Sequence, residues 1–312
     1  MIETSSSENE SAQSSATRRG LRVPAAPQRL TTHRYWDATH SRSANAATTG
    51  RGGDLLHRPI LGPIVRRCIE DYADWIRWER LYSRYLPKKR TARALEIGSA
   101  PGHHLTKLHR RYGYDVCGIE YSDKGAELNR RVFAAHGLPT DAVIQADFFD
   151  QALLDRFHER FDVVISRGFI EHFGNPRLVV NRHVDLLAPG GTLVVTIPNL
   201  RGLNRALTMI FQPDLLKIHN LDIMSPGAYR RLFDHPALEE RFCAPYGTFS
   251  FRIFDTHPRA WSRHILIQGR RCQLMFNLLF RALLRGRGPD SRWTSPYYIY
   301  IGQKRPHGVR SS

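Results

Sequence analysis

The chain has 312 residues, 41% of them hydrophobic, and carries a formal charge of +17 at pH 7. That is enough for one large α/β domain with extensions or for two small domains, and no apolar run of about 18 residues is present, so no membrane-spanning helix is expected. The charge admits nucleic acid, an anionic membrane surface or an acidic substrate as a partner, set against the plainer reading of a solvated basic face.

Residues 1–50 are rich in Ser, Ala, Thr and Arg and are expected to form a largely disordered tail. The tail lacks the apolar stretch of a secretory signal, and Glu3, Glu8 and Glu10 speak against a mitochondrial presequence. One island stands out at 33–40 (HRYWDATH), where Tyr35 and Trp36 mark an arm that docks on something. After a glycine break, residues 51–90 read as an N-terminal helical cap. Within it Tyr72, Trp75, Trp78, Tyr82 and Tyr85 recur at steps of three or four and share one helix face. That stripe is expected to pack on the core, the alternative being an aromatic wall of a pocket.

From residue 91 to 304 the pattern changes. Short apolar strands are predicted at 93–98, 115–120, 142–146, 161–166 and 191–197, with helices at 102–112, 122–136 and 176–187 between them. Such alternation gives a parallel sheet covered on both faces, with ligands bound at the carboxyl ends of its strands. Beyond Pro198 a lid-like insertion (199–230) of helical character is broken at Pro213. A helix at 225–234, a strand near 247–254, an apolar helix at 273–285, a strand at 296–303 and a basic tail at 305–312 complete the chain. The apolar helix is flanked by arginines; it is expected to pack on the sheet, with peripheral membrane contact as the alternative. The expected fold is therefore α/β, a Rossmann-like, doubly wound, mostly parallel sheet of seven strands. Cys68, Cys117, Cys243 and Cys272 lie far apart without a C-x-x-C pair, which fits a reducing cytoplasm and predicts no metal site.

The chemistry concentrates around ALEIGSAPG at 94–102, a strand that runs into a glycine loop and then a helix. Backbone N–H groups at such a helix start hold carboxylates or phosphates. Glu96, at the loop's entry, would repel a pyrophosphate but suits an ammonium. Glu120 ends the second strand, where an acid accepts both hydroxyls of a ribose. Asp147 ends the third strand and is followed by Phe148, a pairing suited to the exocyclic amine and face of an aminopurine. Ammonium and carboxylate, ribose and aminopurine together describe S-adenosylmethionine.

The stretch from Glu96 to Asn199 resembles the class I S-adenosylmethionine-dependent methyltransferases. ALEIGSAPG matches their first motif with Ala100 in place of the middle glycine; GIEYS, QADFF, FDVVISRGFIEHF and LAPGGTLVVTIPN follow in order. FIEHF is similar to the small-molecule, ubiquinone O-methyltransferase-like group. The resemblance implies that Glu96, Gly98, Ser99, Ala100 and Gly102 shape the turn and hold the methionine end. It implies that Glu120 binds the ribose, that Tyr121, Asp147 and Phe148 surround the adenine, and that Arg167 and Gly168 lie near the methionine and sulfonium.

His172 is the candidate base, with a bracing role as its alternative; His219 is a second, more distant candidate. The expected reaction is O-methylation, with N- or C-methylation open, of a small-molecule, sugar or lipid-linked acceptor, anionic in one reading, with the arm and the insertion closing over it. An NAD-type oxidoreductase and a non-catalytic S-adenosylmethionine-binding module are the rival readings. The Asn/Asp-Pro-Pro-aromatic stretch of DNA amino-methyltransferases is missing from SRGFIEHF, which disfavours DNA amino-methylation and leaves RNA methylation open.

Overall fold

The computed structural model describes residues 28–48, 69–254 and 260–306. The expectations for residues 1–27, for the glycine break and the first part of the cap, for Cys68 and for the end of the basic tail lie outside the described residues. The elements in chain order are α1 (His33–Thr48), a helical run α2 (72–85), β1 (Arg93–Ile97), α3 (His103–Tyr112), β2 (Asp115–Glu120) and α4 (Asp123–Ala135). Then come β3 (Val143–Gln145), α5 (Gln151–Phe157), β4 (Phe161–Arg167), α6 (Pro176–Leu186), β5 (Leu187–Pro198) and α7 (Leu203–Phe211). Last are α8 (Pro226–Arg231), β6 (Leu238–Tyr246), α9 (Ala260–Leu284) and β7 (Tyr297–Lys304).

All seven strands form one sheet in the order β3-β2-β1-β4-β5-β7-β6. The first five are parallel, and β7 runs antiparallel between β5 and β6. Chain order reverses at β1, flanked by β2 and β4, so the loop after β1 opens at the topological switch point. Leu95, Ile97, Val163, Val164 and Val194 are fully buried, as expected of strands covered on both faces.

The aromatic stripe packs on the core as expected: Tyr72, Trp78 and Tyr82 are buried, and Trp75 and Tyr85 lie against the same cluster. The run carrying them is π-helical over Arg77–Tyr82.

Three expectations need correction. Part of the supposed disordered tail is ordered: α1 packs on α4, held by Ser122 and the Lys124 amide, which both donate to Asp37 (2.6 and 3.1 Å). Its contacts are polar and aromatic rather than aliphatic, which is why apolar periodicity missed it. No strand forms at 247–254; the strand is β6, ending where Gly247 turns at φ +98°. Glu239, Glu240 and Arg241 mask β6 in the sequence, and charges of this kind protect an exposed edge strand. Finally, α9 starts well before residue 273 and runs through Gly269, where a Cβ would stand 3.0 Å from the Phe251 ring.

Candidate active site

The β1–α3 loop is shaped by close approach. Gly98 and Ser99 both donate backbone N–H to the Ile119 carbonyl, at 2.9 and 3.2 Å, which ties the loop to β2. Gly102 sits at φ +96°, and a Cβ there would lie 2.2 Å from Asn129 Oδ1. Asn129 in turn donates to Ser99 Oγ at 2.6 Å. Only glycine meets both demands at 102.

Two acids stand on either side of this loop. Glu120 accepts from the Ala100 amide through one oxygen and from the Ser122 amide through the other, each at 3.0 Å. Its carboxylate is thereby fixed at the loop's mouth. Glu96 is wholly buried, with Arg167 Nε donating to its Oε1 at 2.9 Å and His104 Nδ1 facing the same oxygen at 3.2 Å. Its Oε2 has no partner. Burial works to raise the Glu96 pKa, but His104 and Arg167 outweigh it and hold the carboxyl down at about 2. Burial and the Arg167 charge push His104 down to about 4, against the pull of Glu96, so that ring is neutral. Arg167 is then the permanent counter-charge.

An open-mouthed cavity with about 140 Å³ of enclosed space lies over the loop. Gly98, Ala100, Glu120, Tyr121, Phe148, Arg167, Gly168 and His172 of the sequence-derived set line it. Glu96, Ser99 and Gly102 stand behind the lining. Asp147 stands at the edge of the cavity, between the lining residues Ala146 and Phe148, where it forms an ion pair with Arg29 and accepts from the Phe149 amide at 2.9 Å. The Arg29 guanidinium lies over the Tyr121 ring at 4.4 Å. The N-terminal segment also supplies Thr31, Trp36 and His40 to the lining. The arm thus roofs this cavity, where the sequence placed it over an acceptor. The Leu30 amide donates to the His172 carbonyl at 2.8 Å, and the Trp36 ring meets the His172 ring edge-on at 5.0 Å.

A second cavity, about 1040 Å³ with its mouth, shares Arg167, Gly168 and His172 with the first. It is polar. Asp71, Asp74 and Arg77 come from the cap, Glu171 and His219 from loops, and Arg252 from the turn after β6. Arg77 is buried and pairs with Asp74. Asp71 accepts from Ser250 Oγ at 2.6 Å, and burial raises its pKa. Of these residues only His219 was singled out from sequence. The others sit far apart along the chain without a motif, and only the paired acids at 71 and 74 in a cap otherwise aromatic gave any signal.

At the junction, His172 Nδ1 donates to the Ile218 carbonyl at 2.8 Å and His219 Nδ1 to the Leu215 carbonyl at 2.6 Å. This leaves both Nε2 atoms as acceptors. Burial pushes His172 down to about 3, helped by neighbouring His219. Glu171 is fully buried and neither oxygen accepts a well-aligned hydrogen bond. Burial pushes it up to about 8, against the opposing pull of its own amide and that of Phe169. Glu171, His172 and His219 bring ligand-type atoms within 4.8 Å of one another, a donor set able to take a divalent ion where the sequence predicted none.

This sheet order, with a glycine loop and two acids at its switch point, is that of a class I S-adenosylmethionine-dependent methyltransferase. Residues 72–252, more than half of the chain, match the Methyltransferase domain family, and the chain belongs to it. It is similar to a tRNA U34 carboxymethyltransferase of Desulfotalea psychrophila, 27% identical over 144 residues, 45% of this chain and 44% of that protein. It is also similar to a ubiquinone biosynthesis O-methyltransferase of Xylella fastidiosa, 32% identical over 111 residues, 35% of this chain and 42% of the relative. The chain spans less than half the length of either relative. Among solved structures, a chain from the complex of the Haloferax volcanii Trm112 methyltransferase activator with a methyltransferase aligns at TM-score 0.53 and 15% identity, over 90% of this chain and 100% of its own length. The cyclase SpnF aligns at TM-score 0.50 and 15% identity, over 91% of this chain and 98% of its own. These structures share the fold, and a cyclase among them shows why the acceptor must be argued from the site.

Proposed function

We propose that the chain moves a methyl group from S-adenosylmethionine to an oxygen of a small acceptor carrying an anionic group. The observation that carries this reading is the second cavity, which meets the first at Arg167–His172 and is lined by Arg77, Arg167 and Arg252. Asp74 offsets Arg77 and Glu96 engages Arg167; Glu171 is held protonated below about 8, and Arg252 faces Asp71, whose carboxyl burial pushes toward its neutral form, which leaves Arg252 the cation best placed for an anionic group. That suits a carboxylate or phosphate.

Two features support the first cavity as the cofactor site: just behind its lining the buried Glu96 Oε2 has no partner, and Gly98, which lines it, sits at φ +69° where a Cβ would also stand 3.3 Å from the Phe169 ring. Glu96 and Arg167 would take the methionine end, Glu120 the ribose hydroxyls, and Tyr121 and Phe148 the adenine faces. Gly98, Ser99, Ala100 and Gly102 hold the loop in shape. The bound cofactor supplies an electrophilic methyl on sulfonium. The protein then aligns the acceptor and excludes water, which the arm does from above.

A carboxylate acceptor needs no base. For a hydroxyl acceptor, neutral His172 has a free Nε2 but is a weak base, and Glu171 gains base strength only as pH approaches 8.

The test is methyl incorporation into a panel of matched anionic and neutral acceptors, with S-adenosylhomocysteine titrated calorimetrically alongside. Anionic acceptors are expected to win. Arg252→Ala should raise their KM roughly tenfold and leave homocysteine-compound affinity unchanged. Preference for neutral acceptors would overturn the reading.

A further inference from the structure

The exposed apolar surface of this protein is concentrated in one place. Of the twelve large hydrophobic side chains exposed among the described residues, all but Ile69 belong to α7, α9 and Trp293. On α9 one face packs inward through Leu266, Gln273 and Asn277, which are buried. The opposite face shows Ile267, Leu274, Met275, Leu278, Leu279 and Leu283 to solvent, with Met275 at 63% and Leu283 at 70% exposure. Leu203, Met209 and Ile210 of α7 extend it, since α7 packs on α9. Trp293 joins through its carbonyl, which accepts from the Leu203 amide at 2.9 Å. An apolar surface this continuous needs a partner.

The charge around it selects that partner. No acidic residue occurs from Ala260 to Pro289, and Arg263, Arg271, Arg285, Arg287 and Arg292 are all exposed. Apolar side chains ringed by arginines on a helix surface are the composition of an interfacial helix, which lies in the headgroup plane. No helix among the described residues is long and apolar enough to cross a membrane. A second copy of the chain would set arginine against arginine across the patch, which disfavours self-association.

We propose that α9, with α7 and Trp293, docks this protein on an anionic lipid bilayer. The helix that carries the docking face borders the acceptor cavity through its inward face. Leu266 of α9 packs with Phe211 and Phe254, and Ile253 joins that cluster while also lining the second cavity. A docked molecule therefore holds its acceptor cavity behind α9, one helix diameter (~10 Å) from the lipid surface. This last step, which rests on the methyl-transfer reading, specifies a lipid-linked acceptor whose anionic headgroup enters among Arg77, Arg167 and Arg252.

The test is sedimentation of the full chain with vesicles of phosphatidylcholine alone or mixed with phosphatidylglycerol. The wild type should pellet with the anionic vesicles. Met275→Gln, Leu279→Gln and Leu283→Gln together should cut that partition at least roughly tenfold. Arg271→Glu with Arg285→Glu should remove the preference for phosphatidylglycerol. All these positions are solvent-exposed, so S-adenosylhomocysteine binding should persist in each variant and report folding. A wild type that stays in the supernatant with both vesicles overturns the proposal, as does a triple variant that binds like the wild type. A dimer seen by light scattering, dissolved by the triple variant without any vesicle binding, also overturns it and makes a second copy the occupant. If homocysteine-compound binding fails in the wild type, the methyl-transfer reading falls while the vesicle result stands separately.

Discussion

The two cavities are built in opposite ways. The first joins short stretches at consecutive strand ends, 97–100, 119–121 and 146–148, to the segment 167–173 at the end of β4 and to four residues of the arm. The second draws on positions 71–77, 167–172, 196–198, 219, 252–253 and 297, and its walls are charged side chains. On the proposed function, a cofactor of fixed shape would be met in large part by a local motif, whereas acceptor choice would be distributed over elements that meet only when the chain folds. Arg167 and His172 belong to both.

Arg167→Ala tests whether the cavities are separable at their shared wall, and carries the largest expected effect. It leaves Glu96 buried with only a neutral histidine beside it, and stripping one partner from a buried charge costs about 3–5 kcal/mol. A fall in Tm of roughly 10 °C and loss of both cofactor and acceptor binding are expected. Loss of acceptor binding alone would show that Glu96 does not depend on it.

Acid should weaken the fold next. The unfolded chain protonates these histidines near 6.5, while the folded chain refuses the proton until about 4 at His104 and His183 and about 3 at His172. Stability present above 6.5 is therefore lost as pH falls through that window, by roughly 5–10 °C in Tm. His104 belongs to the first region and His172 to both, so His104→Gln and His172→Gln melts apportion the loss.

Glu171 acts with the opposite sign. Its carboxyl ionises near 4.5 when unfolded and near 8 when folded, so it costs stability progressively as pH rises between these values. Glu171→Gln should be the more stable protein at pH 8 by a few degrees in Tm, and no different at pH 4. An identical pH profile in the variant would mean that another group neutralises Glu171. The smallest effect is expected at Arg29→Ala, which frees Asp147 and uncovers Tyr121: a roughly threefold loss of homocysteine-compound affinity with acceptor KM unchanged.

The contrast also explains what the sequence made legible. Glu96, Gly98, Gly102 and Glu120 were readable because each serves a turn or strand end within a few residues of itself, where spacing carries meaning. The five parallel strands were readable as apolar runs. Asp71, Arg77 and Arg252 were not, because an ionisable residue on a helix or loop looks the same in sequence whether it faces water or a cavity. The partner of Asp147 was not readable, because Arg29 lies 118 positions away. Helix α1 hid for a related reason: Asp37 caps contacts made by Ser122 and Lys124, and Trp36 finds His172, all distant in sequence.

The roof over the first cavity sets a clock as well as a boundary. If the first cavity holds the cofactor as proposed, lifting of the segment from 29 to 40 would widen the exit for spent cofactor, and lifting breaks the Arg29–Asp147 pair and both hydrogen bonds to Asp37. Those contacts bear on the dissociation rate of the product and so on the ceiling for turnover, whatever the speed of methyl transfer itself.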